Sequence, residues 1–91
     1  MNNFDTQPKK GYGFIYKYTS PSGKSYIGQT IYSLKERAKT TNGTGYSNCT
    51  IFFRAIQKYG FENFKWEVLG EFLIEDLDEK ERYFIEKENT L

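Results

Sequence analysis

Two charged residues stand on predicted helix faces where apolar side chains are expected, and their types suit phosphate chemistry. Arg37 shares a helical stripe with Leu34, and Glu81 shares one with Leu77 and Phe84. Burying an unpaired ion costs several kcal/mol. Three arrangements avoid that cost: a buried Arg37–Glu81 salt bridge, edge positions where both charges reach water, or a polar cleft that uses both.

The polar cleft is the arrangement that would do chemistry, because a predicted hairpin adds two tyrosines, Tyr16 and Tyr26. An arginine binds phosphate through a bidentate fork and stabilises charge in the transition state. A carboxylate holds a divalent cation, which neutralises phosphate oxygens and acidifies bound water. A tyrosine orients or deprotonates the attacking water, although its ordinary pKa of about 10 requires nearby positive charge for the second role. Such a set suits phosphodiester cleavage.

The hairpin must place the two tyrosines. Residues 12–19 and 24–30 are rich in Tyr, Ile and Thr and read as two strands, with the turn Ser20-Pro21-Ser22-Gly23 between them. A proline followed by a glycine that can adopt left-handed geometry favours a three-residue loop. That loop pairs Ser20 with Lys24 and Tyr18 with Tyr26, and side chains alternate across a strand. The hairpin therefore predicts Tyr16, Tyr18 and Tyr26 on one face.

The other elements follow from caps and periodicity. Ser33 to Glu36 is a capping box that begins a helix, and residues 42–48 read as a loop. A second helix over 49–59 ends at Gly60. Residues 64–69 alternate as a third strand, and a last helix begins near residue 75 or 76. The order predicts an α/β (α+β) sandwich, a three-stranded sheet covered by three helices, with six core side chains: Phe52, Phe53, Ile56, Trp66, Val68 and Phe84.

Composition excludes several classes of protein. The 91 residues make one domain, which we expect over 11–91 behind a flexible arm of residues 1–10. Histidine is absent and Cys49 is the single cysteine, which excludes an imidazole base, an internal disulfide and the usual zinc sites. A reduced, intracellular, cytoplasmic location follows. No membrane-length apolar run or signal peptide is present, so no membrane partner is expected.

Charge is unevenly divided along the chain. Residues 1–59 carry nine Lys/Arg against two acids, a balance of +7, and residues 60–91 carry four against ten, a balance of −6. The basic part is able to meet phosphates, while the acidic part solvates a helix or binds a cation. The alternative interpretation is that these charges keep a small domain in solution.

Five features in order resemble the GIY-YIG nuclease superfamily. The first motif stands as Phe14-Ile15-Tyr16 and the second, intact, as Tyr26-Ile27-Gly28. Arg37 follows in the next helix, then "AIQKYGFENFKWEVL" at 55–69 and "EKERYFIEKEN" at 79–89. The resemblance covers about residues 12 to 90 and is closest to the branch found in phage and mobile-element endonucleases. It implies an antiparallel three-stranded sheet flanked by helices and metal-dependent cleavage of DNA.

The resemblance also implies roles for single residues. Tyr16 matches the tyrosine proposed as general base, and Tyr26 matches the one that positions water or phosphate. Arg37 matches the phosphate-binding arginine, and Glu81 matches the ligand of a single Mg²⁺ or Mn²⁺ ion. Gly28 permits close backbone approach. The expected DNA contacts are Lys17, Lys24, Gly28, Gln29, Lys35, Lys39 and Thr41.

Two departures from the family pattern support an alternative. Thr41 stands where many relatives carry a histidine, and Gln29 stands where some carry a lysine. The positive partner that would lower a tyrosine pKa is therefore not evident from the sequence. The alternative is a slow or inactive DNA-binding or structural module. For the enzyme, the small basic surface predicts a fused or separate DNA-targeting element, and the oligomeric state stays open because one site cuts one strand at a time.

Overall fold

The computed structural model describes residues 4–38, 44–46 and 49–88. Three strands and three α-helices form the fold: β1 (Tyr12–Thr19), β2 (Ser25–Thr30), α1 (Leu34–Ala38), α2 (Thr50–Tyr59), β3 (Lys65–Leu73) and α3 (Leu77–Glu88). Short 3₁₀ turns occupy Thr44–Tyr46, Phe61–Asn63 and Ile74–Asp76. Within the described residues, no helix is long and apolar enough to cross a membrane.

The sheet has the strand order β2-β1-β3, with both pairings antiparallel. The predicted α+β class, a three-stranded antiparallel sheet with three helices, is therefore confirmed. Central β1 is buried along most of its length, whereas β2 and β3 are edge strands. One face of the sheet meets α1, α2 and the turn at Thr44–Tyr46, and α3 packs on the other face, mainly against β2 and β1.

The hairpin forms in the predicted register. Tyr18 lies opposite Tyr26, the Ser20 amide donates to the Lys24 carbonyl at 2.8 Å, and the Gly23 amide donates to the Ser20 carbonyl at 2.8 Å. Gly23 has φ 89°, the left-handed geometry that only glycine adopts without strain. Local turn chemistry thus sets which side chains of β2 face each side of the sheet.

A register shift interrupts the pairing of β1 with β3 beside the first-motif tyrosine. Ile15 pairs with Gly70 and Tyr16 pairs with Val68, which leaves Leu69 as an extra residue on β3. Such a bulge bends a strand and increases its local twist. The shift falls at Tyr16, so the bulge contributes to the aim of that side chain.

The helix ends agree closely with the sequence signals. The Glu36 amide donates to Ser33 Oγ at 3.0 Å, the backbone half of the capping box, and α1 begins at the next residue after Ser33. Helix α2 ends at Gly60, which has φ 85° and donates its amide to the Ile56 carbonyl. Strand β3 continues four residues beyond the predicted end at residue 69, and a 3₁₀ turn precedes α3.

The core consists mainly of aromatic rings between the sheet and α2. Tyr18 and Tyr46 are each 1% exposed and join their hydroxyls at 3.0 Å. Of the predicted loop at 42–48, the structure describes Thr44–Tyr46, which form a 3₁₀ turn, and the other four residues fall outside the described part of the chain. The burial of Tyr46 in the centre of this core was not predicted. The prediction of Trp66 as a core residue was wrong: its side chain lies at the edge, 36% exposed and tilted against Phe4 at 5.4 Å between ring centroids.

The segment before β1 lies against the domain. The Phe4 ring packs on Phe61 and Trp66, and its carbonyl accepts the Lys35 amide of α1 at 2.9 Å. The Lys9 amide donates to a Glu71 carboxylate oxygen at 2.8 Å. Flexibility of this arm and a domain boundary at residue 11 stay predictions.

Candidate functional site

A pocket of about 600 Å³ opens at the free edge of β2. Its lining includes all four residues predicted to be catalytic: Tyr16, Tyr26, Arg37 and Glu81. They come from β1, β2, α1 and α3, so residues 65 positions apart in the chain meet at one cavity. Three of the predicted DNA contacts, Lys24, Gly28 and Gln29, lie in the same lining.

The pocket wraps around the edge of β2 and has two chemically different sides. Tyr26 and Gly28 face the α2 side of the sheet, while Ile27 and Gln29 alternate to the α3 side. The α2 side holds the phenols and Arg37, and the α3 side holds Glu81. We call these the aromatic side and the carboxylate side.

Tyr16 is held over the glycine of the second motif. The two residues are cross-strand partners, and a Cβ added at Gly28 would stand 2.5 Å from the Tyr16 hydroxyl. Real Cβ atoms do not approach other heavy atoms so closely, so any side chain at Gly28 would displace the phenol. The sequence interpretation, close approach at Gly28, thus has a specific counterpart in the Tyr16 ring.

The Tyr16 phenol is neutral in the folded protein. Its side chain is only 5% exposed, and burial raises its pKa well above the ordinary tyrosine value. The neighbouring Tyr46 adds to the rise, and Arg37 lowers this pKa only in part. Burial also raises the pKa of Tyr26, with a smaller addition from Tyr59. The aromatic side therefore presents O–H donors and not phenolates.

Three contacts fix the Arg37 guanidinium on the aromatic side. Its Nη1 donates to the Gly45 carbonyl, its Nη2 lies 3.7 Å from Cys49 Sγ, and its Cζ stands 4.5 Å from the centroid of the Tyr46 ring. A Cβ at Gly45 would collide with the Arg37 carbonyl, so this turn needs glycine to approach α1. The arginine is pre-positioned while it keeps further N–H groups for a ligand.

Arg37 and Glu81 do not form the salt bridge that was one of the three arrangements considered. In the described part of the chain the one ion pair joins Lys17 Nζ to Glu88 at 2.6 Å. Arg37 and Glu81 are both half-buried and line the pocket from opposite sides of the sheet. The structure therefore excludes the salt bridge. Edge positions in contact with water and a shared cleft both remain compatible with two half-buried charges at one pocket.

Glu81 is positioned by Gln29, a contact that the sequence did not predict. Gln29 Nε2 donates to Glu81 Oε1 at 2.7 Å and to Asp78 Oδ1 at 2.7 Å. Asp78 and Glu81 stand one helical turn apart on α3, so the amide holds both carboxylates near the pocket. Asp78 was not among the predicted site residues, although i, i+3 spacing from Glu81 is a signal for it.

The pocket offers few carboxylates, so a magnesium-like ion there would take most of its ligands from water and substrate. Across residues 4–38, 44–46 and 49–88, no group of three or more His, Cys, Asp or Glu side chains forms a cation cage. Mg²⁺ commonly uses one or two protein carboxylates and keeps several waters. Glu81 supplies one such carboxylate at the pocket wall, and Asp78, which shares the Gln29 amide with it, lies outside the lining.

Tyr46 is a second residue of the candidate site that sequence reasoning missed. It contacts both Arg37 and the buried phenols, at 5.6 Å from Tyr18 and 6.3 Å from Tyr16 between ring centroids. Large rings are rare in exposed loops, because they bury 150–250 Å² each when packed. A single tyrosine among glycines and polar residues was the feature of the sequence from which the burial of Tyr46 could have been predicted.

The other predicted DNA contacts lie away from the pocket lining or outside the described residues. Lys17 projects to the α3 face and pairs with Glu88, whose pKa it lowers. Lys35 is exposed on α1 and lies outside the lining. Lys39 and Thr41 fall outside the described residues.

No protein-family model, curated protein or solved structure matches this chain. The resemblance to GIY-YIG nucleases therefore rests on the motifs and their order in the sequence.

Proposed function

We propose that this protein is a divalent-metal-dependent DNA endonuclease of the GIY-YIG type, a hydrolase of phosphodiester bonds. The observation that supports the proposal is the meeting of Tyr16, Tyr26, Arg37 and Glu81 at one open pocket, with the arginine and the carboxylate unpaired to each other. A salt-bridged pair would serve packing, whereas separated charges in a cleft leave both groups able to bind a ligand.

Arg37 binds the scissile phosphate in this proposal. Two of its five N–H donors are engaged by Gly45 and Cys49, and the remaining donors are available for non-bridging phosphate oxygens. A cation–π contact with Tyr46 positions the guanidinium before the substrate arrives. Pre-organised positive charge is effective because it requires no rearrangement as charge develops in the transition state.

Glu81 would hold the cation on the opposite wall, with Asp78 as its neighbour. When bound, Mg²⁺ or Mn²⁺ supplies Lewis acidity, which lowers the pKa of water and neutralises phosphate oxygens. In this scheme water attacks phosphorus as the bond from phosphorus to the leaving oxygen breaks. The attacking water gives up its proton to bulk solvent, and the leaving oxygen takes a proton from solvent, so no side chain is required as base. The two walls thus hold phosphate charge from both sides of the β2 edge.

Tyr16 has an orienting role in this scheme. Its raised pKa keeps the phenol protonated near neutrality, and its hydroxyl, which is hydrogen-bonded to Tyr46 in the free protein, exchanges that bond for one donated to phosphate or water. The general-base role implied by the family requires an ionised phenol. The pH dependence separates the two: a base role makes the rate climb with pH toward the raised pKa, while a donor role leaves it insensitive to that ionisation until the phenol deprotonates.

One observation favours the alternative of a slow or inactive DNA-binding or structural module. Tyr16 is buried with a raised pKa, and the chain contains no histidine to accept a proton. A module of this kind would keep the Arg37 phosphate contact and bind DNA without cutting it. The fused or separate targeting element, the cytoplasmic location and the oligomeric state belong to the proposal in either form.

A plasmid-nicking assay with Mg²⁺, Mn²⁺ or chelator tests the proposal. We expect wild-type protein to relax supercoiled DNA only with metal, and Glu81→Gln to lower the rate by about 100-fold or more, the scale of losing one electrostatic catalytic group. The matched control is Glu86→Gln, an exposed carboxylate on the same helix outside the pocket lining. Equal rates for wild type and Glu81→Gln would contradict the enzyme; metal-independent DNA binding without nicking would support the module.

A further inference from the structure

The pocket is larger and more apolar than a phosphate and a hydrated cation require. Its volume of about 600 Å³ falls in the range of pockets that hold drug-sized ligands. Next to Arg37 the aromatic side presents Tyr26, Phe52 and Ile51. Tyr26 stacks on the buried Phe52 ring at 4.9 Å between centroids and 27° between planes, so Phe52 supports one face of Tyr26 from the core side.

Tyr26 and Ile51 form an apolar wall of the pocket, and Ile51 is its exposed part. It is 67% exposed in the first turn of α2, the highest exposure among the large apolar side chains of the described residues. Cys49, two residues earlier, lies 3.7 Å from the Arg37 guanidinium. A phosphate on Arg37 therefore has an apolar surface beside it, together with the Lys24 ammonium, whose Nζ lies 5.9 Å from the centroid of the Tyr26 ring.

A regular DNA duplex leaves this wall unused. Its bases are stacked inside the helix, and the surface at phosphate level consists of charged oxygens and sugars. An unpaired base exposes a flat aromatic face, which stacks on rings and apolar side chains. The geometry points to a nucleotide whose phosphate is bound by Arg37 and whose unpaired base lies against Tyr26 and Ile51.

We propose, on the basis of the nuclease function above, that the substrate class is DNA with an unpaired nucleotide at the cleavage position. Recognition then has two parts. Arg37 supplies a phosphate contact that every DNA offers, and the apolar wall adds a contact that only an unstacked base makes. The second part sets the preference of the pocket for unpaired DNA over intact duplex.

Binding measured in chelator tests this proposal without cleavage. Three labelled oligonucleotides of the same sequence are compared by fluorescence anisotropy: a duplex, that duplex with one bulged nucleotide, and the single strand. We expect wild-type protein to bind the bulged and single-stranded forms at least about tenfold more tightly than the duplex, the scale of one base stack. Equal affinity for all three would overturn the proposal.

Matched variants assign the preference to the wall. Ile51→Ala should reduce the preference for the bulged form about fivefold and leave duplex binding unchanged. Ile74→Ala removes a comparably exposed isoleucine outside the pocket and should change neither. Arg37→Ala should weaken binding to all forms together. If Ile51→Ala weakens binding to duplex and bulged DNA equally, Ile51 contacts the sugar and not an unpaired base, and the proposal is overturned.

Cys49 offers a second readout that does not depend on affinity. It is the single cysteine, it is exposed, and it lines the pocket next to Arg37. Bulged DNA should slow alkylation of Cys49 by iodoacetamide more than duplex does at equal saturation, and equal protection would count against the proposal. If wild-type protein does not nick DNA but still prefers the bulged form, the nuclease proposal fails and the base pocket is still supported. Failure of the nuclease function is therefore distinguishable from failure of the base pocket.

Discussion

The two sides of the pocket differ in how they are built. On the aromatic side, Tyr16 and Tyr46 are almost fully buried, and Arg37 is fixed by a ring, a carbonyl and a sulfur. On the carboxylate side, Glu81 is half-exposed and is held by one amide, that of Gln29. The first side derives its order from packing and the second from hydrogen bonds between surface side chains.

The aromatic side is therefore a rigid wall of the pocket, and the carboxylate side is an adaptable one. Close packing in the aromatic side leaves little freedom for a residue to move, because interiors are packed as densely as organic crystals. A half-exposed carboxylate exchanges one partner for another at small cost, which suits a group that takes up a hydrated ion. Changes on the aromatic side should therefore affect stability and geometry, and changes on the carboxylate side should affect metal dependence.

The largest expected effect comes from removing the ring that supports the aromatic side. Tyr46→Ala should lower the free energy of unfolding by about 3–5 kcal/mol, the range for losing a buried aromatic side chain. Tyr46→Phe, which keeps the ring and leaves the Tyr18 hydroxyl without its partner, should cost about 1–3 kcal/mol. Urea unfolding measures both. Tyr83→Ala, at an exposed tyrosine, is the control, and an equally small loss for Tyr46→Ala would break the comparison.

A smaller but more local effect is expected at the second-motif glycine. Gly28→Ala places a methyl group 2.5 Å from the Tyr16 hydroxyl, so the phenol must move out of the pocket wall. A displacement of about 1 Å in a positioned group costs roughly 100-fold in rate, and we expect a loss of nicking on that scale.

Gly11→Ala is the control for that prediction. Gly11 has φ 84° and no atom within 4 Å of an added Cβ, so alanine there strains the backbone without entering the pocket. It should lower stability and spare the nicking rate of the folded protein. If Gly11→Ala loses nicking to the same extent, the effect of Gly28→Ala is due to lower stability and not to displacement of the Tyr16 phenol.

On the carboxylate side we expect a change in metal dependence. Gln29→Leu removes the donor shared by Glu81 and Asp78. Loss of a residue that orients a metal ligand typically costs 10–100-fold in metal affinity or activity, so the Mg²⁺ concentration for half-maximal nicking should rise by about tenfold or more. Gln57→Leu, at an exposed glutamine on α2, should leave it unchanged. If Gln29→Leu leaves the Mg²⁺ dependence unchanged, Gln29 does not position the metal-binding carboxylate.

The smallest effect concerns the Lys17–Glu88 pair at the α3 face. Lys17 lowers the pKa of Glu88, so this contribution to stability is present above the ordinary glutamate pKa of about 4.5 and is lost as pH falls through the lowered value. Glu88 raises the pKa of Lys17, and that contribution is lost only at strongly alkaline pH. The pair is partly exposed, and ion pairs in contact with water contribute little to stability and are screened by salt.

Urea midpoints of wild type and Glu88→Gln measure that contribution. We expect a small difference at pH 7 that closes at pH values below the lowered pKa and in high salt. Glu86→Gln supplies the control for a generic loss of charge on α3. A difference that persists in acid would show that Glu88 acts through packing and not through its charge.

Much of the fold could be predicted because its signals are local. The Pro21–Gly23 turn, the capping box at Ser33 and the stop at Gly60 each involve residues a few positions apart. The burial of Tyr46 was not predicted, and the prediction that Trp66 belongs to the core was wrong, because the neighbours of these residues in the chain do not determine their burial. Phe4, 62 residues from Trp66, covers that ring at its edge position. The extension of β3 depends likewise on partners in β1.

The sequence by itself determined the side-chain inventory, the hairpin register and the absence of histidine, because these are properties of residue type and short-range backbone geometry. Only the tertiary structure decided that Arg37 and Glu81 stand apart across the edge of β2. It also decided that Tyr16 lies over Gly28 as a neutral phenol, because its pKa depends on burial. Gln29 reaches Glu81 across 52 positions of the chain, a contact that no local pattern encodes.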